Sequence, residues 1–118
     1  MTTPARSGAR HIEKLALAHL WVAILAFGIA SAMALMQSLS RANLDLPWRT
    51  AGMYYLSVTA HGVLMALVFT TFFIMAFGYV VASRMLNREA GPRGLAWGGY
   101  WLALSGTLAS AGAILTRK

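Results

Sequence analysis

Charged side chains divide the chain into three long apolar runs. Lys14 and Arg41 bracket 26 uncharged residues, Arg49 and Arg84 bracket 34, and Arg93 and Arg117 bracket 23. A membrane-spanning helix needs about 20 mostly apolar residues at ~1.5 Å rise each, so every run is long enough to cross a bilayer. The pattern predicts three transmembrane helices, over about 14–38, 55–79 and 94–116. Residues 1–13 are polar, include Pro4 and Gly8, and read as a mobile tail. The segment Ser40–Arg49 reads as a loop, and Gly91-Pro92 as the break before the third helix. The expected fold is therefore an all-α membrane protein: a tail over 1–13, then a three-helix transmembrane segment over 14–118.

The charge balance adds orientation. The net charge is +7, but the basic residues sit in flanks and loops rather than in one patch, which argues against nucleic acid as a partner. Arg6, Arg10 and Lys14 precede the first run, and Arg84, Arg88 and Arg93 separate the second from the third. With three spans those two segments share one side of the membrane, and the positive-inside rule makes it the cytoplasm. The expected location is a bacterial-type inner membrane, with several passes. The start of the first run, closing on Ala30-Ser31-Ala32, mimics a secretory signal, but the apolar run continues past that triplet. There is no cysteine, which removes disulfides and thiolate metal sites. Phosphate-binding glycine loops and close His/Asp/Glu clusters are also missing from the sequence.

Within the second run lies His61, in Tyr54-Tyr55-Leu-Ser-Val-Thr59-Ala-His61-Gly62-Val63-Leu64. An ionisable side chain at membrane depth is costly and marks a candidate functional site. Tyr54 and Tyr55, with Trp48, suit the outer interface, and Tyr79 the inner one. From Tyr55 to Tyr79 is ~36 Å of helix, and His61 lies ~9 Å below Tyr55, toward the outer side. A glycine beside an imidazole lets a flat ligand approach, and histidine is a common axial ligand of haem iron. On helical spacing Tyr54, Ser57, Val58, Leu64, Met65 and Val68 share the face of His61. Ligation requires Nε2 on the iron and Nδ1–H held by an acceptor, for which Ser57 or its backbone, one turn back, is the candidate. The competing reading is a buried histidine bonded to a neighbouring helix, and residue chemistry leaves both open.

The other histidines read as structural. His19 is five residues beyond Lys14, where its tip reaches water at the cytoplasmic interface, and His11 lies in the solvated tail. The methionines read as apolar filler, and Thr59, Thr70 and Thr71 as backbone-bonding hydroxyls. The alanine-rich first run and the glycine-rich third, with small-xxx-small pairs Gly28/Ala32 and Gly94/Gly98, imply close helix packing.

The motif Tyr54-Tyr55-x-x-x-Thr59-x-His61-Gly62-Val63-Leu64, followed by Val68-Phe69-Thr70, resembles the second transmembrane helix of subunit I of haem–copper oxidases, most closely the ba3-type (B-type) cytochrome c oxidases. The likeness continues through Arg84-Met-Leu86-Asn87 and Gly94-Leu95-x-Trp97-x-x-x-Trp101, and more loosely through Met36-Gln37 and Asn43-x-Asp45. The resemblance implies that His61 is one axial ligand of the low-spin haem, of a or b type, with Gly62, Ser57 and Met65 packing near it. It implies electron delivery from cytochrome c through the copper centre of subunit II, and oxygen reduction coupled to proton translocation. Such a subunit has roughly a dozen spans, so this chain matches its N-terminal part, the first section of a larger bundle. Copper, the second haem and the catalytic residues are expected downstream, with none in this chain. Two other classes fit the hydropathy: a haem b membrane anchor of succinate dehydrogenase or fumarate reductase type, and a non-catalytic helical scaffold.

Overall fold

The computed structural model describes residues 4–42, 44, 46, 47, 49–86 and 91–116, with side chains from residue 10 onward. Its described residues form helices in an elongated bundle of 64 × 25 × 22 Å. Helix α1 runs Pro4–Arg41, α2 Ala51–Val63, α3 Thr70–Leu86 and α4 Arg93–Thr116. Between α2 and α3 lies a π-helical turn, Leu64–Phe69, so residues 51–86 form one continuous rod.

Two helices are long and apolar enough to span a membrane, Arg10–Arg41 and Ala51–Leu86. Helix α4 has 24 residues, but its glycines and its Trp97, Tyr100 and Trp101 dilute its apolarity. The third span therefore stays an expectation. The polar stretch expected as a tail is helical from Pro4. Proline suits the first helical position, and extending an existing helix costs no new nucleus.

The helix ends follow local chemistry. Thr50 caps α2 from an extended backbone conformation, its hydroxyl accepting the Met53 N–H at 3.2 Å. Gly91 takes a left-handed φ of 61°, and the Pro92 carbonyl accepts the amides of Leu95 and Ala96 as α4 begins. The predicted break at Gly91-Pro92 is thus present. Asn43, Asp45, Trp48, Asn87 and Arg88, which carried parts of the sequence reading, lie outside the described residues.

The first two rods pack antiparallel along an alanine seam. Ala16, Ala23, Ala26 and Ala30 are all buried, and their small side chains let the backbones approach. Leu15, Ala23 and Ala26 of α1 meet Val68 of the π turn, Phe72 of α3 and Tyr100 of α4 in one core. Among the described residues the expected glycine pairs play no such part. A Cβ added at Gly28, Gly94 or Gly98 meets no atom within 4 Å, so those faces are open. Trp21, Leu25, Phe77, Leu102 and Leu115 are likewise exposed, as suits surfaces that meet lipid or further helices rather than water.

Candidate functional site

Three polar contacts stitch α1 to α2, and they locate His61. At the loop end the Arg41 guanidinium donates to the Tyr54 hydroxyl through Nε at 3.0 Å and Nη2 at 2.7 Å. Further in, the Gln37 side-chain amide donates to the Ser57 carbonyl at 3.1 Å. Deepest, the His61 Nδ1 lies 2.9 Å from the Ala30 carbonyl oxygen. A backbone carbonyl only accepts, so this bond requires the proton on Nδ1. In a neutral imidazole Nε2 then carries the free lone pair, which is the tautomer a metal-ligating histidine needs. Among the described residues Nε2 has no protein hydrogen-bond partner.

The acceptor is not the expected one. Ser57 and its backbone are already engaged: the hydroxyl donates to the Tyr54 carbonyl at 2.7 Å, and its own carbonyl takes Gln37. Ala30, on the facing helix, holds His61 instead. A carbonyl has two lone pairs, so Ala30 can accept this proton beside its helical bond. Ser57 is buried at the α1–α2 contact, Met65 is half-buried on the π turn, and Gly62 is exposed. A Cβ at Gly62 would meet nothing within 4 Å, so space lies open beside the imidazole.

The π turn begins one residue after Val63 and was not legible in the apolar run. It is closed by Thr70, whose hydroxyl donates to the Met65 carbonyl five residues back at 2.9 Å. Such turns insert an extra residue into the helical phase and recur at functional sites. Here the turn breaks the single 3.6-residue face expected around His61. Val68, within the turn, points into the core.

The other two histidines depart from their expected settings. His19 is 3% exposed and does not reach water. Its Nδ1 meets the Leu15 carbonyl at 2.9 Å, and the rings of Phe72, Tyr79 and Tyr100 surround it at 5.6, 5.5 and 4.9 Å. It joins α1, α3 and α4, because the aromatic side chains of all three converge at that level. His11 is half-buried rather than solvated, and its Nε2 accepts the Trp97 indole N–H at 2.9 Å. Neither arrangement leaves an accessible Nε2: the first is walled in and the second is occupied. Among the described residues no three His, Cys, Asp or Glu side chains converge.

Open clefts lie on either side of the rods. One of about 500 Å³ separates α2 from α4, between Tyr55, Thr59 and Ile114, and is continued inward by one of about 210 Å³ near Phe72 and Thr107. Another, of about 390 Å³, lies between α1 and α3. None of them is lined by His61.

Comparison with known proteins matches the same region. Residues 14–117 fit the family described as Cytochrome C and Quinol oxidase polypeptide I. Cytochrome c oxidase subunit 1 of Thermus thermophilus is 32% identical over 114 residues, which cover 90% of this chain and 20% of that relative. The chain thus spans about one fifth of the length of the curated relative it matches. No solved structure matches it. With a family match running almost from end to end, the chain belongs to the cytochrome c and quinol oxidase polypeptide I family.

Proposed function

We propose that this chain forms the N-terminal part of the catalytic subunit of a cytochrome c oxidase and that His61 supplies one axial ligand to its low-spin haem. The observation carrying this reading is the Nδ1–H bond from His61 to the Ala30 carbonyl, which leaves Nε2 free as donor to iron. Family membership supports a haem protein over a succinate dehydrogenase-type anchor or a scaffold without cofactor.

The residues present fit the group. His61 would bind through Nε2, with the Ala30 carbonyl fixing the ring plane. Gly62 leaves room for a flat macrocycle against the helix. Gln37 and Arg41 hold α1 in register with α2, which keeps Ala30 opposite His61. When bound, a haem here supplies a one-electron carrier. The depth of His61, seven residues or ~10 Å from Tyr54, fits an electron arriving from outside the membrane. That supports cytochrome c and a copper-bearing subunit II as partners, with the N-terminus in the cytoplasm and α4 as a third span. The second haem, the copper and the oxygen-reducing residues belong to further parts of the assembly.

The test is the reduced-minus-oxidised spectrum of the native gene product carrying His61→Ala. The expected result is loss of the low-spin haem band, with membrane insertion intact. A band that survives in the folded variant removes the ligand assignment.

A further inference from the structure

The α1–α3 groove, on the rods but lined by other residues than the haem site, has the features of a lipid seat. Its floor is Ala16 and Ala76, both buried, and its walls are Leu17, Leu20, Phe73 and Phe77. Its volume is about 390 Å³. Glu13 is the one charged residue lining it, and stands at the end nearest the N-terminus. From Glu13 to Leu20 the groove runs ~10 Å, about two-thirds of one leaflet of the hydrocarbon core.

Charges of both signs stand near the Glu13 end of the groove. Arg84 lies one turn beyond Val80 on the same face of α3 as Phe73 and Phe77, and it is exposed. Arg10 lies one turn beyond Glu13 on α1. An apolar trough thus opens between the Glu13 carboxylate and the helix face that carries Arg84, at the level where headgroups lie. We infer that this groove seats one phospholipid bearing both a phosphate and a primary ammonium, a phosphatidylethanolamine, in the leaflet on the N-terminal side. The phosphate pairs with Arg84, the ammonium with Glu13, and one acyl chain lies over Ala16 and Ala76. A purely anionic headgroup satisfies Arg84 but leaves Glu13 facing like charge. A choline headgroup offers Glu13 no N–H donor. The inference needs only the two apolar rods to cross the membrane and does not rest on haem ligation.

The experiment places the purified native gene product in nanodiscs of equal parts phosphatidylethanolamine, phosphatidylglycerol and phosphatidylcholine. Native mass spectrometry then counts the lipids that stay bound. The expected result is about fivefold enrichment of phosphatidylethanolamine, the size of one interfacial charge contact. Glu13→Gln levels the three lipids, and Leu17→Trp, which fills the groove from an exposed position, removes the retained lipid. Circular dichroism checks that both variants keep their helix content. Equal retention of the three lipids by the unaltered protein overturns the proposal. So does enrichment that survives Leu17→Trp, and so does retention of no lipid at all, the result expected if a protein helix covers the groove.

Discussion

His19 and His61 make the same bond and end in opposite situations. Each holds its Nδ1 2.9 Å from a backbone carbonyl. For His19 that carbonyl is Leu15, four residues back on its own helix, and three aromatic rings close around the imidazole. For His61 it is Ala30, on the facing helix, and the flank beside Gly62 is open. A histidine anchored within its own helix and packed by rings acts as core. One anchored across an interface, with its other nitrogen unclaimed, is free to take a ligand. The surroundings of Nε2, rather than the bond at Nδ1, separate the two roles.

The comparison is broken most directly at the cofactor. If it holds, His61→Ala removes the entire low-spin haem signal, whereas His19→Ala leaves that signal in every molecule that folds. A spectrum insensitive to His61 but lost in folded His19→Ala protein would reverse the assignment. Stability is expected to rank the two the other way. His19→Ala empties a site bounded by Phe72, Tyr79 and Tyr100, and by analogy with large-to-small core changes should cost about 3 kcal/mol. His61→Ala removes one interhelical hydrogen bond, worth ~0.6 kcal/mol in membrane bundles. Unfolding of both variants in detergent, with cofactor removed, measures the difference.

Gly62→Leu sharpens the contrast on the open side. A Cβ at this position meets no atom within 4 Å, so helix content and insertion should be unchanged. Crowding of a packed macrocycle should nevertheless weaken haem retention by about 1–3 kcal/mol, read as a fall in haem per protein. Unaltered haem content would show that the macrocycle does not pack against Gly62. The smallest effect belongs to Gln37→Leu. It deletes the bond to the Ser57 carbonyl, for about 0.6 kcal/mol of stability, and a small shift in the haem potential is expected as Ala30 loses its register. A loss several times larger would mean that the α1–α2 contact depends on this one amide.

Helix content and the two strongest spans were readable from residue type and spacing. Apolar runs bounded by Lys14, Arg41, Arg49 and Arg84 need no partner to be recognised, because the bilayer requires every backbone polar group to be bonded within its own segment. The break at Gly91-Pro92 was readable for the same local reason. The start of α1 was not, since the polar stretch after Pro4 has no apolar periodicity, yet continues a helix already nucleated.

What depended on packing was everything between helices. The π turn at Leu64–Phe69 occurs in an apolar run with no mark of where its phase changes. The acceptor for His61 is a carbonyl, which every residue carries, so no sequence pattern singles out Ala30. His19 and His11 were read by their distance from charged residues, but their settings come from Tyr100 and Trp97, some eighty residues away. Composition and periodicity act along one helix and so define what each segment is. Which side chain is enclosed and which nitrogen stays open is set by how the segments meet, and that is a property of the assembled bundle.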